Sequence, residues 1–136
     1  ARSILHKPKI LFMDEPTVGL DPASRRKIWD LLKNLNKKGI TVFMTTHYME
    51  EAETLCEDIA LMDRGNIISR GSPIQLNKQV GKFVMEIFDN GATNYKFFNT
   101  QEKGLVYAKK IKQDFTLRES TLEDVFIKLT DHRLED

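Results

Sequence analysis

Residues 10–17 read Ile-Leu-Phe-Met-Asp-Glu-Pro-Thr, and this stretch decides the fold of the chain. Its unbroken apolar run is typical of a β-strand that is buried on both faces, as in a parallel sheet covered by helices. The run ends in two adjacent carboxylates followed by a proline, which predicts a loop. Residues 40–46 form a second apolar and β-branched run, which predicts another strand.

The segment between these two runs is predicted to be a helix. Asp21 supplies a capping carboxylate, and Pro22 suits the first helical position. Apolar residues recur at helical spacing from Ile28 to Leu35, and Gly39 closes the helix. A strand, a helix and a second strand in this order predict an α/β fold with a parallel sheet and flanking helices.

The rest of the chain divides into two parts by pattern. Residues 48–57 are predicted to be helical, residues 59–70 a hairpin, and Ser72 begins a short helix. After residue 79 the pattern becomes that of a small α+β subdomain, whose last helix begins at a capping box over residues 120–123. We therefore expect one domain over residues 1–76 and an accessory subdomain over residues 77–136.

The composition excludes several classes of protein. The 136 residues carry a net charge of +1 and are 40% hydrophobic, which is ordinary for a globular chain, and the near-neutral charge argues against a nucleic-acid partner. No apolar stretch approaches the roughly 18 residues of a membrane-spanning helix. A single Cys56 excludes a disulfide framework. The chain starts at Ala1 without a methionine, and residues 1–7 have a helical pattern, so we expect a fragment.

Three polar residues are predicted to meet where the two strands end. Asp14 and Glu15 follow the first strand and His47 follows the second, so parallel strands would bring them to one sheet edge, where α/β proteins bind ligands. Asp14 is suited to hold Mg²⁺, and Glu15 to orient or deprotonate a water. His47 can donate to a phosphate oxygen. Alone, the carboxylate pair would favour a solvated turn, but the combination favours a site.

Five stretches of the sequence together resemble the nucleotide-binding subunit of ATP-binding cassette (ABC) transporters. They are residues 10–17, 19–21, 45–47, 50–62 and 65–71, and the resemblance covers residues 1 to about 76. Residues 120–126, Ser-Thr-Leu-Glu-Asp-Val-Phe, resemble the C-terminal end of ATPases that serve bacterial exporters of drugs, lipids, polysaccharides or ions. The resemblance implies the C-terminal part of a P-loop NTPase sheet.

The resemblance also implies roles for individual residues. Residues 10–14 resemble the Walker B strand with Asp14 at the metal, Glu15 resembles the catalytic glutamate, and His47 resembles the switch histidine. The D-loop, which contributes to nucleotide binding, is matched by Gly19, Leu20 and Asp21. The implied cofactors are ATP and Mg²⁺. The implied partners are a second ATPase subunit and transmembrane permease subunits, at the cytoplasmic face of a membrane.

Three motifs of that family are missing from the sequence. It contains neither the phosphate-binding Gly-x-x-x-x-Gly-Lys-Ser/Thr loop nor the Leu-Ser-Gly-Gly-Gln signature, and the glutamine loop is absent too. We therefore expect the complete protein to be an ATPase and this chain alone to be inactive. Two alternatives stay open from sequence. One is an ABC-type ATPase of DNA repair, chromosome maintenance or translation, and the other is a non-enzymatic regulatory or dimerisation module over residues 80–136.

Overall fold

A computed structural model describes residues 8–130 of the chain, so the helix predicted over residues 1–7 lies outside the described residues. The elements, in chain order, are β1 (Ile10–Asp14), α1 (Pro22–Lys37), β2 (Thr41–Thr45), α2 (Met49–Leu55), β3 (Ile59–Asp63), β4 (Asn66–Gly71), α3 (Pro73–Val80), β5 (Phe83–Asp89), β6 (Ala92–Phe98), α4 (Gln101–Ala108), β7 (Asp114–Glu119) and α5 (Leu122–Thr130). This mixture of helices and strands confirms the predicted α/β class. Between residues 8 and 130, no helix combines the length and the apolar character needed to span a bilayer.

Strands β1 and β2 pair in parallel, as predicted, with Ile10 opposite Thr41 and Asp14 opposite Thr45. Helix α1 covers one face of this pair, where Leu11 packs with Leu32 and Leu35 in a buried cluster. The prediction that β1 is buried on both faces is wrong for the described residues. Alternation along the strand places Phe12 on the other face, where it is 72% exposed and contacts Phe43. No described element covers that face.

The contacts divide the chain into two compact units, Ala1–Leu55 and Cys56–Asp136. The second unit contains the antiparallel β3–β4 hairpin and a three-stranded antiparallel sheet in the order β6–β5–β7. Helix α3 packs against β4 and α5 within this unit. Through α3 the hairpin belongs to the same unit as the C-terminal elements. The two units therefore divide between Leu55 and Cys56, whereas the sequence predicts a domain boundary after residue 76.

An ion-pair network joins β5, β7 and α5 in the second unit. Arg118 donates to Asp124 at 2.6 Å and to Glu86 at 2.6 Å. The Asp124 carboxylate also accepts a hydrogen bond from the Thr121 backbone N–H at 2.8 Å. The residues that cap the start of α5 are therefore Thr121 and Asp124. The predicted capping box at residues 120–123 is wrong, because the Ser120 hydroxyl is buried and donates to the Gly81 carbonyl at 2.6 Å.

The Asp124 network predicts a loss of stability in acid. Burial raises the pKa of Asp124, but hydrogen bonds from Arg118 and Thr121 outweigh it, so the pKa lies below its ordinary value of 3.8. Asp124 therefore stabilises the folded state above pH 3.8, and this contribution is lost as the pH falls through the folded pKa. Urea unfolding at neutral pH and near pH 3 checks this. Asp124→Asn should lower the free energy of unfolding at neutral pH and show a smaller acid loss than the unmodified chain. An equal acid loss in both would contradict the assignment.

Candidate functional site

The candidate site lies where β1 and β2 end side by side. The parallel register sets Asp14 opposite Thr45, and the Glu15 backbone N–H donates to the Thr45 carbonyl at 2.9 Å, which extends the pairing by one bond. The Thr45 hydroxyl donates to the Asp14 carboxylate. Asp14 is exposed. The strand ends thus hold Asp14 and Glu15 at one edge, with the Asp14 carboxylate accessible to solvent.

Glu15 and His47 contact each other directly at this edge. His47 Nδ1 lies 2.9 Å from Glu15 Oε2, and the two side chains are 56% and 40% exposed. An ionised carboxylate only accepts hydrogen bonds, so the pair requires the proton on Nδ1. The structure therefore brings together the two residues predicted to be catalytic, beside the residue predicted to hold the metal.

The backbone of Glu15 adopts an unusual conformation. Its φ of 45° lies in the left-handed region, which disfavours residues with a Cβ by roughly 1–2 kcal/mol. Such conformations are concentrated at functional sites. Here the sharp turn after β1 directs the Glu15 side chain to His47, while Asp14 stays in the regular strand.

The residues matched to the D-loop form the link between β1 and α1. Turn hydrogen bonds run from Val18 to Glu15 and from Leu20 to Thr17, each 3.2 Å long, and Gly19 has a φ of 76°. The Asp21 carboxylate caps α1 by accepting from Ala23 and Ser24. The Ser24 hydroxyl hydrogen bond is the main cause of a lowered pKa at Asp21. Asp21 thus caps α1, and Gly19 and Leu20, which precede it, are exposed.

Three buried residues in and around this link were not predicted to belong to the site. The fully buried Glu51 of α2 accepts a hydrogen bond from the Thr17 hydroxyl at 2.7 Å and another from Trp29 Nε1 at 2.9 Å. The Trp29 indole is buried in α1, and its N–H also makes this hydrogen bond. The available signal was the position of Glu51 four residues before Leu55, on the apolar face of its helix.

The residues at this edge fit a magnesium ion with a bound phosphate. Mg²⁺ prefers oxygen ligands and is commonly held by one or two carboxylates together with substrate phosphates. Asp14 offers such an oxygen at an exposed position, and Glu15 is its neighbour. Among residues 8–130, no group of three His, Cys, Asp or Glu side chains is arranged to hold a metal alone. The edge is thus suited to a metal that shares its coordination with a substrate.

Comparison with known proteins identifies relatives over the whole chain. A family model described as "AAA domain, putative AbiEii toxin, Type IV TA system" matches residues 3–53. The chain is 35% identical over 157 residues to the Nod factor export ATP-binding protein I of Cupriavidus metallidurans, covering 100% of the chain and 52% of that protein. It is 34% identical over 162 residues to the protein of the same name from Mesorhizobium japonicum, covering 100% and 46%. The chain thus spans about half the length of these curated relatives.

Two solved structures are similar to the chain. The ATP-binding subunit of an ABC transporter matches 93% of the chain and 38% of its own length, with a TM-score of 0.59 and 20% identity, which shows the fold. CbiO1 of Clostridium perfringens, part of the ABC transporter complex cbiONQ, matches 56% of the chain and 31% of its own length, with a TM-score of 0.50 and 32% identity.

The fold is therefore the α/β fold of the solved ATP-binding subunit of an ABC transporter. The chain is similar to curated export ATP-binding proteins and to the ATP-binding subunits of ABC transporters, which confirms the predicted resemblance. The curated relatives carry the name of export proteins.

Proposed function

We propose that the complete protein is the ATP-hydrolysing subunit of an ABC exporter, and that this chain carries the hydrolytic part of its site. The observation that carries the proposal is the meeting of Asp14, Glu15 and His47 at one strand edge, with Glu15 and His47 in contact. Homology to export ATP-binding proteins favours a transporter over the ATPases of DNA repair, chromosome maintenance or translation.

In this proposal each of the three residues has a separate task. Asp14 would hold Mg²⁺, which when bound offsets the negative charge of the phosphates. The Glu15 carboxylate accepts a proton from the attacking water as the water oxygen bonds to the γ-phosphorus and the bond to the leaving ADP oxygen breaks. His47 orients the Glu15 carboxylate by donating from Nδ1, and in its imidazolium form, in which both ring nitrogens are donors, Nε2 donates to a phosphate oxygen of the nucleotide.

The remaining parts of the site and its partners follow from the family. Gly19, Leu20 and Asp21 would form the D-loop at the nucleotide, with Asp21 also fixing the start of α1. A second ATPase subunit would complete the nucleotide site, and permease subunits would carry the substrate, with the ATPase at the cytoplasmic face of the membrane. The proposal also includes a division of the chain after residue 76, between the ATPase core and the accessory subdomain.

The magnesium role of Asp14 can be tested in the complete protein. Asp14→Asn keeps the size of the side chain but removes its charge, so we expect the Mg²⁺ concentration for half-maximal ATP hydrolysis to rise about tenfold or more. Phosphate release measured over a Mg²⁺ titration gives this value. Asp30→Asn, at an exposed position of α1, is the matched control and should leave the titration unchanged. An unchanged titration for Asp14→Asn would remove Asp14 from the metal site.

The chain alone is expected to bind ATP weakly or not at all, and not to hydrolyse it. Most of the affinity of P-loop enzymes for phosphates depends on a glycine-rich loop and its lysine, and the chain has no such sequence. Isothermal titration calorimetry with MgATP measures the affinity. Micromolar binding by the 136-residue chain would contradict this expectation.

A further inference from the structure

Glu51 is a buried carboxylate that the proposed mechanism does not use. It has no solvent-accessible surface, yet its hydrogen-bond partners are two neutral donors, the Thr17 hydroxyl and the Trp29 indole. Its second oxygen, Oε2, is buried without a hydrogen-bond partner among the described residues. Burying a carboxylate is costly unless its oxygens are satisfied, so stability alone does not account for a glutamate at this position.

The partners of Glu51 lie next to the residues of the site along the chain. Thr17 is two residues after Glu15, and Glu51 is four residues after His47. The hydrogen bond between them therefore ties the link that follows β1 to the helix that follows β2. Trp29 adds α1 as a third attachment through the same oxygen, Oε1.

The link is also held by backbone bonds, including the 2.9 Å bond from the Glu15 N–H to the Thr45 carbonyl, but the bond from the Thr17 hydroxyl to Glu51 is its buried side-chain contact. Its turn bonds at Val18 and Leu20 are each 3.2 Å, whereas the Thr17 hydroxyl lies 2.7 Å from Glu51 and is fully buried. Glu15 itself has a disfavoured backbone conformation. Such a conformation persists only where the surroundings hold it, and Glu51 supplies a buried fixed point two residues along the chain.

We propose that Glu51 is a positioning residue, which uses its hydrogen bond from Thr17 to hold Glu15 against His47. The kinetic consequence of this role rests on the proposed function, but the geometric consequence does not. Displacing a reacting group by about 1 Å can reduce a rate by two orders of magnitude. Loss of the Thr17 hydrogen bond should therefore reduce turnover without removing any group that contacts the nucleotide.

The kinetic test compares Thr17→Val with Thr17→Ser in the complete protein. Valine keeps the size of threonine but has no hydroxyl, while serine keeps the donor. We expect Thr17→Val to lower kcat about tenfold with KM for ATP unchanged, and Thr17→Ser to retain nearly full kcat. The control is Val84→Ala, at a fully buried position of the second unit. It should lower stability while leaving the hydrogen bonds of Glu51 intact, and kcat should stay unchanged. If Thr17→Val does not fold, Trp29→Phe removes the other donor to Glu51 Oε1 and is expected to lower kcat in the same direction, while an unchanged kcat would count against the proposal.

A second readout tests the geometry without relying on ATP hydrolysis. The ring ¹⁵N resonances of His47, assigned with His47→Gln in selectively labelled protein, report its contact with Glu15. They should move in Thr17→Val and stay in place in Thr17→Ser. A folded Thr17→Val protein with unchanged resonances and unchanged kcat would overturn the proposal. If the complete protein hydrolyses no ATP, the proposed function fails, and the His47 resonances alone decide the role of Glu51.

Discussion

Replacing Glu15 with glutamine in the complete protein is expected to reduce steady-state ATP hydrolysis by about 10²–10⁴-fold. Glutamine has the same shape, and its oxygen can still accept the hydrogen bond from His47, but the amide does not take up a proton from water. Binding of the nucleotide should persist, because Asp14 and His47 are unchanged. The variant should therefore accumulate as nucleotide-bound dimers, which phosphate release and sedimentation measure together.

The control for this prediction is a glutamate that is exposed and distant from the strand edge in sequence. Glu57→Gln makes the same chemical change at an exposed position and should leave ATP hydrolysis unchanged. A Glu15→Gln protein with the steady-state rate of the unmodified ATPase would remove Glu15 from the role of base. Loss of hydrolysis in both variants would point to a general effect of charge.

Replacing Arg118 with methionine is expected to destabilise the second unit by about 3 kcal/mol. The guanidinium bridges Glu86 and Asp124, and hydrogen bonding to Asp124 is the main cause of its raised pKa. The Asp124 side chain is only 4% exposed, so its charge would be left buried without its partner. Methionine preserves the apolar stem of the side chain. Urea unfolding followed by circular dichroism measures the difference.

The second unit also offers a matched control for Arg118. Arg70 pairs with Asp58 at 2.6 Å, but these side chains are 69% and 56% exposed. Exposed ion pairs contribute little to stability, so Arg70→Met should leave the unfolding curve close to that of the unmodified chain. Equal effects of the two substitutions would show that burial of Asp124 is not the reason for the cost at Arg118.

Local patterns predicted most of the elements correctly. The apolar run from residue 10, the Asp21–Pro22 helix start and the Gly39 helix end depend on neighbouring residues, and the structure confirms them. The prediction that β1 is buried on both faces was wrong, as the exposed Phe12 shows, because burial depends on what packs on each face of the sheet. The capping box was wrong because Ser120 bonds to Gly81, which lies 39 residues earlier in the chain.

In the candidate site, too, a contact set by strand pairing could be predicted, and a contact that depends on the packing of distant residues could not. Parallel pairing of two short strands was enough to predict that Glu15 and His47 would meet, and their 2.9 Å contact agrees with this. The hydrogen bond between Thr17 and Glu51 spans 34 residues and depends on how α2 packs. A glutamate in an acidic stretch is almost always exposed, so composition alone gives no reason to expect this one to be buried.

The nucleotide retained by the complete protein tests the central claim most directly. After incubation with MgATP and rapid removal of free nucleotide, the bound nucleotide is extracted and separated by chromatography. If Glu15 is the base at this strand edge, the unmodified protein retains ADP and Glu15→Gln retains ATP. A Glu15→Gln protein that retains ADP in the same proportion as the unmodified protein would contradict the claim that this edge carries out hydrolysis through Glu15.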